Sequence, residues 1–270
     1  MSSSSWEDRE VLQEVWGGRV PAVFRLSEAD QRPEQEAEPC CLLLPRMSYL
    51  PLATDKVRRH FAGAGDQQQV MWFSYRGTPL RSNIFQNYFL SRLYSFRWHH
   101  PIGLLYDLLC GTGGGELPWE VTAHLSDFPS DLLLPCSTRD QVETVFMSSL
   151  KEADQLKHSG KVVSQMQKKD HNQLWLGLAA DKFDQFWAIN RKLMEPGPGS
   201  EAEAGFRHIP VRFYVSGVDN SGQLSSAVTQ KLVSPGHSLG EVMADLGWAS
   251  ARSVKKYFVI SIYNASPPGP

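Results

Sequence analysis

The sequence lacks long apolar runs, paired cysteines and a charge excess of either sign, and each absence removes a class of function. No window approaches the roughly 18 apolar residues of a membrane span. The longest apolar run, Cys40 to Leu44, is the size of a strand. Of the four cysteines, Cys40 and Cys41 are adjacent, and none pairs with another as C-x-x-C, with Cys110 and Cys136 standing alone. This is neither a disulfide framework nor a zinc site. Net charge is −2, so no global field draws the chain to nucleic acid or acidic lipid. Met1 to Asp8 has no basic stretch leading into an apolar one, and Ser2 replaces the glycine that myristoylation needs. Reduced cysteines without a secretory signal give the expectation of a cytoplasmic protein.

What is present is ordinary for a folded chain: 41% hydrophobic and 21% charged residues over 270 positions. That length allows two or three small domains. Val11 to Val15 suggests a short helix stopped by Gly17-Gly18. Val20 to Leu26 and Cys40 to Leu44 suggest strands, with an acidic loop from Ser27 to Glu38 between them. Leu52 to Phe61 suggests a helix capped by Thr54. Val70 to Tyr75 is strand-like, closed by Gly77 and Pro79. Pro101 to Cys110 suits a helix with proline at its first position, and Trp119 to Leu125 alternates like a strand. Periodicity alone assigns this region to the α+β class.

From Ser137 to Met194 there is no proline, and Gly160 and Gly177 are the only glycines. Thr138 and Gln141 have the spacing of a capping box. Val142, Val145, Phe146, Ser149, Ala153 and Leu156 recur at helical spacing, as do Phe183, Phe186, Trp187, Asn190 and Met194. This predicts a helical domain at 137–194. The run at 195–205, rich in glycine, proline and glutamate, is a linker by composition. Strand signals then recur at Phe206 to Val215, Val228 to Val233 and Tyr257 to Tyr263, with helix between at Ser238 to Leu246.

Several residues invite chemistry. Gly111 to Gly115 lacks the Gly-Lys-Ser/Thr that a phosphate loop needs and fits a plain loop. Cys110 and Cys136 have no histidine or aspartate beside them by sequence, so a cysteine-dependent hydrolase or transferase has little support. His99-His100 lacks a second ligand pair. Lys168-Lys169 and Arg58-Arg59-His60 are small basic clusters of the kind that solvated faces carry. Leu174-Trp175-Leu176 and Phe186-Trp187 have the spacing of core. At about 100° per residue, Lys151 lies opposite Val142 on its helix and so faces solvent. By spacing alone it is one ordinary surface lysine among 11.

Longer motifs carry a family resemblance. Phe146-Met147-Ser148-Ser149-Leu150-Lys151-Glu152-Ala153-Asp154-Gln155-Leu156-Lys157-His158 resembles the conjugation segment of the autophagy protein 5 family. Met166 to His171 leading to Gln173-Leu174-Trp175, and Asp184 to Met194, resemble it nearly word for word. Leu42 to Arg46, Tyr75 to Leu80 and Pro101 to Asp107 extend the likeness, which runs from about Val11 to about Leu246. The resemblance implies an α+β fold of two ubiquitin-like β-grasp domains flanking a helical domain. The expected division is an N-terminal helix and tail at 1–19, a first ubiquitin-like domain at 20–128, the helical domain at 137–194, a linker at 195–205 and a second ubiquitin-like domain at 206–270. It further implies a non-catalytic subunit whose Lys151 is joined by an isopeptide to the ubiquitin-like autophagy protein 12. With the coiled-coil autophagy protein 16 it would form an E3-like complex that promotes lipidation of autophagy protein 8 family members. The conjugating enzymes of the system and the preautophagosomal (phagophore) membrane are the other implied partners. Nucleic acid, cofactors and metals are not implied. A non-conjugated adaptor is the alternative.

Ser82 to Arg97 interrupts the family pattern, which passes directly from Arg81 to Trp98. The segment carries Phe85, Tyr88, Phe89, Tyr94 and Phe96, two arginines and no acidic residue. It falls in a connection, where each doubling of loop length costs only about 0.6 kcal/mol. Its aromatics would favour covering a neighbouring surface or self-association. Deleting 82–97 is therefore expected to leave conjugation at Lys151 intact and to equal or improve solubility, measured by gel shift and light scattering. Unfolding of the first domain on deletion would make the segment part of the working structure.

Overall fold

The computed structural model describes residues 4–31, 36–61, 70–80, 100–110, 116–130, 139–194, 207–218, 224–234, 236–246 and 257–261. The insertion at 82–97, Cys136, Gly111 to Gly115 and the capping residue Thr138 lie outside them. The chain divides into two compact units, Met1–Thr144 and Val145–Pro270.

In the first unit, α1 (Ser4–Trp16) precedes β1 (Arg19–Leu26) and β2 (Cys40–Pro45). Then follow α2 (Pro51–Phe61), β3 (Trp72–Tyr75), β4 (Thr78–Pro79), α3 (Ile102–Cys110) and β5 (Trp119–His124). The strands form one sheet in the order β2-β1-β5-β3-β4. β1 and β2 are antiparallel neighbours, β1 and β5 run parallel, and β3 is antiparallel to both β5 and β4. This is the β-grasp arrangement. Alternation drives it: Val20, Ala22, Phe24 and Leu26 of β1 and Trp119, Val121 and Ala123 of β5 all point into the core. Ala53 and Val57 of α2 and Ile102 and Leu105 of α3 meet them. Aromatic packing closes the middle, with Phe24 and Phe73 centroids 5.3 Å apart and Trp119 flanked by Tyr75 and Tyr106 at 6.3 and 6.0 Å.

Two helix starts differ from the sequence expectation. Thr54 does not cap α2, because the helix begins a turn earlier at Pro51, with Leu52 and Ala53 amides donating to the Tyr49 and Leu50 carbonyls. Proline suits that first turn because its missing N–H would have no helical partner there. Pro101 lies just outside α3 and instead forms an isolated bridge with Tyr49. The described part of the acidic loop holds a 3-10 turn at Glu28–Asp30. Its Asp30 carboxylate accepts from the Leu125 amide at 2.9 Å and also from the Ser126 hydroxyl.

The helices of the second unit begin with α4 (Arg139–His158), whose first turns precede the division, and continue through α5 (Lys161–Gln165), α6 (Lys168–Ala179) and α7 (Phe183–Met194). Phe146 on α4 meets Trp175 on α6 at 5.9 Å between centroids. Gly177 allows α6 and α7 to touch through backbone: a Cβ there would lie 2.6 Å from the Phe186 amide nitrogen. The hairpin between them turns at Asp181 in the left-handed region, with the Lys182 amide donating to the Gly177 carbonyl at 2.8 Å. Beyond the bundle lie β6 (Ile209–Val218), β7 (Leu224–Val233), α8 (Leu239–Asp245) and β8 (Tyr257–Ser261). The β6–β7 hairpin, the helix and the further strand repeat the opening order of the first unit, with Val211, Phe213 and Val233 packed on Val242 of α8. Among the described residues this sheet has the order β7-β6-β8, and β8 runs antiparallel to β6, opposite in polarity to the β5–β1 pairing of the first sheet.

Because the neighbour of Gly177 is backbone rather than a side chain that could rotate away, Gly177→Ala is expected to destabilise the bundle by about 1–3 kcal/mol. Chemical denaturation followed by far-UV circular dichroism checks this. An unchanged midpoint would mean that the helices separate at no cost.

Candidate functional site

The helix that carries Lys151 buries one row of side chains. Val142, Phe146, Leu150, Asp154 and His158 follow each other at four-residue spacing and are buried, with Ser149 beside them. Lys151, half a turn from Val142 by angle, is exposed.

Two members of that row are polar, and they fix the end of the helix. The Asp154 carboxylate takes one hydrogen bond from the ring of His158, one helical turn on, with Oδ1 2.9 Å from Nδ1. Its other oxygen accepts from the Val163 amide at 2.9 Å, in the first turn of α5. The chain reverses between them through Ser159 (φ 56°) and Gly160 (φ 75°), and the Gly160 amide returns to the Asp154 carbonyl at 3.2 Å. Glycine suits 160 chiefly through its backbone, whose φ is left-handed. A Cβ would sit 2.7 Å from Gln155 Oε1, a side-chain contact that Gln155 could relieve by turning.

The residues around Lys151 on α4 are engaged elsewhere. Lys157 is half-buried and donates through Nζ to the carbonyl of Leu193, the penultimate residue of α7, with Met194 Sδ at 3.8 Å. A cation suits a helix C-terminus, where carbonyls lack partners. Burial lowers the pKa of this amine, and Asp154 nearby opposes the shift. The Lys157 carbonyl receives the Arg207 amide at 2.9 Å, at the entry to β6. Glu152 is half-buried near Arg212 of β6; burial raises its pKa and the guanidinium opposes the rise. Arg212 in turn donates from Nε to Gln230 Oε1 at 2.9 Å.

Lys151 therefore projects from a helix pinned along its other faces. It stands at the rim of a hollow of about 440 Å³ lined by Asp154, Gln155, Gly160, Val163, Ser164, Met166 and His171. Among the described lysines it is the one that lines this hollow. His171, on the first turn of α6, has an Nε2 that is shielded from solvent and makes no hydrogen bond. α6 itself starts with a capping box, the Gln167 amide donating to Asp170 Oδ2 at 3.0 Å.

The other sequence candidates do not converge on a site. Cys110 is buried against Tyr75, and burial raises its thiol pKa, opposed by the Tyr75 hydrogen bond and Arg76. The same burial pushes the Tyr75 hydroxyl up to about 12. A thiol held protonated is a poor nucleophile. Cys40 is buried and likewise raised, and Cys41 is exposed. His100 is buried, and its neighbour His99 lies outside the described residues. No cluster of three metal-ligating side chains occurs among the described residues. Leu174, Trp175 and Phe186 are core, Trp187 stacks on Phe183, and Leu176 is exposed. Arg59 Nε donates to the Asp55 carbonyl, and His60 Nε2 lies 2.8 Å from the Glu38 carbonyl oxygen. Sequence reasoning missed the Asp154–His158 pair. The available signal was two polar residues falling on the apolar row 142, 146, 150.

Because Asp154 accepts two buried hydrogen bonds, Asp154→Ala is expected to cost about 3 kcal/mol. It should also loosen the α4–α5 turn, raising hydrogen exchange at the Gly160 and Val163 amides. An unaltered melting temperature would remove this turn from the site's framework.

Residues 15–125 match the family model described as "Autophagy protein ATG5, UblA domain", and residues 139–196 match "Autophagy protein ATG5, alpha-helical bundle region". The chain is 43% identical over 256 residues to autophagy protein 5 of Drosophila melanogaster, covering 92% of this chain and 85% of that protein. It is 32% identical over 258 residues to autophagy-related protein 5 of Caenorhabditis elegans, covering 91% and 82%. The crystal structure of Kluyveromyces marxianus Atg5 superposes with a TM-score of 0.68 at 21% identity, covering 94% of this chain and 91% of that one, which is a likeness of fold. Two family-model matches and close relatives along nearly its whole length place this chain in the autophagy protein 5 family, with a role in autophagy.

Proposed function

We propose that this chain is a non-catalytic scaffold of the autophagy conjugation system and that Lys151 is its acceptor for the ubiquitin-like autophagy protein 12. The observation that carries the reading is the setting of Lys151: an exposed amine at the rim of a hollow, on a helix whose other faces are held by buried contacts. Lys157, six residues on, is occupied by the α7 terminus and is a poor acceptor. An ammonium is no nucleophile, so the conjugating enzyme must help remove its proton before attack. The neutral nitrogen then attacks the thioester carbonyl carbon, the C–N bond forms, the C–S bond breaks, and the enzyme's cysteine departs as a thiol carrying the displaced amine proton.

The wider reading follows family membership. The conjugate binds the coiled-coil autophagy protein 16, and the complex acts in the manner of an E3 ligase to promote lipid attachment to autophagy protein 8 family members. The chain is cytoplasmic and works at the periphery of the preautophagosomal membrane. The raised thiol pKa values of Cys40 and Cys110 support a scaffold over a cysteine enzyme.

Lys151→Arg keeps the charge at an exposed position but offers no acyl acceptor. With the conjugating enzymes and autophagy protein 12 present, it is expected to lose the gel-shifted conjugate. Stability should change by no more than about 0.5 kcal/mol. A conjugate still formed by the variant would place the acceptor on another lysine.

A further inference from the structure

Whatever is joined to Lys151 begins at the hollow beside it. An extended chain advances about 3.3–3.6 Å per residue, so the last two or three residues of a modifier lie within about 10 Å of the new bond. They either hang in water or rest on these walls. At about 440 Å³ the hollow falls in the size range of small-ligand sites. Gly160 offers no side chain, Ser164 is short and exposed, and Met166 is flexible and half-buried, so the walls leave room for a strand of small residues.

His171 supplies a second observation. Its Nε2 is buried without a hydrogen-bond partner in this chain, and buried polar atoms are nearly always paired. A peptide backbone offers an N–H and a carbonyl at each residue, so either tautomer of the imidazole finds a partner in it. The ring torsion is soft, and the residue lines the hollow, so a peptide group seated there is the partner the geometry offers this nitrogen.

We propose that this hollow seats the last two or three residues of the extended C-terminal tail of the ubiquitin-like modifier, and that His171 is a positioning residue that hydrogen-bonds the tail backbone. The inference rests on Lys151 being the acceptor. His171 does not take part in the exchange of bonds; it holds the thioester carbonyl within reach of Lys151 Nζ. While Nζ forms the C–N bond and the C–S bond to the conjugating enzyme breaks, the tail stays in place.

The test is single-turnover discharge of the thioester-charged conjugating enzyme onto the full chain and its variants. His171→Leu and Ser164→Trp, the one removing the hydrogen bond and the other filling the hollow, are each expected to slow discharge about tenfold, the rate equivalent of one hydrogen bond. His171→Gln, which keeps a donor and an acceptor, is expected to restore most of the rate. Melting temperatures should stay near the parent's, and discharge to free hydroxylamine should not change. Parent-like rates for both His171→Leu and Ser164→Trp would overturn the proposal. So would a His171→Gln variant as slow as His171→Leu with a lowered melting temperature, because the histidine would then be a packing element. Failure of the parent chain to accept the modifier at Lys151 would instead overturn the acceptor assignment.

Discussion

The Asp154 carboxylate, buried in the helical bundle, is the contact on which the surroundings of Lys151 depend. It sits on the apolar row of α4 and is fully enclosed, so its oxygens need partners from the chain. It finds one a turn ahead on its own helix and another across the reversal, at the start of α5. A single side chain thus fixes where α4 ends and where α5 begins. The hollow is made of α4, α5 and the first turn of α6, and its shape follows from that reversal. An apolar residue at 154 would leave the Val163 amide buried without an acceptor, which is the costly half of a broken hydrogen bond.

The charged groups of α4 divide the work between them. Lys157 donates to the carbonyl end of α7, and Glu152 lies within electrostatic range of Arg212 of β6. Burial pushes each toward its neutral form, and a neighbour of opposite charge offsets part of that push. The Lys157 side chain ties the helix to the last helix of the bundle, and its carbonyl, bonded to the Arg207 amide, ties it to the entry of the sheet that follows. What projects freely from the same helix is Lys151. An acceptor amine gains from a rigid base, since an isopeptide forms only when nitrogen and carbonyl carbon are held in contact.

Much of this was legible in the sequence, for local reasons. The strands β1, β2 and β5 announce themselves by alternation, and the exposure of Lys151 follows from nine residues of helical rotation away from Val142. The Pro51 start of α2 was not legible because Thr54 is a plausible cap, and the winning contacts come from Tyr49 and Leu50 carbonyls just upstream. β4 is two residues long, too short to show a period. The parallel union of β1 with β5 and the antiparallel approach of β8 to β6 are long-range pairings that no window of sequence contains. The hollow was equally invisible: its walls come from three helices, and His171 looks like an ordinary surface polar residue until the helices are packed.

The central pairing of the first sheet has a consequence for the order of events in synthesis. Ala22 of β1 lies beside Trp119 of β5, about a hundred positions later. The β1–β2 hairpin can form as soon as it emerges from the ribosome. The sheet cannot close until the chain has been made through β5, and until then Val20 and Phe24 lack the cover that the β5 residues Trp119 and Val121 supply. The sixteen residues of Ser82 to Arg97 fall inside this open interval. They change its closure entropy by only about 0.2 kcal/mol, yet they lengthen the time for which a nascent half-sheet with an aromatic-rich tail must wait for its middle strand.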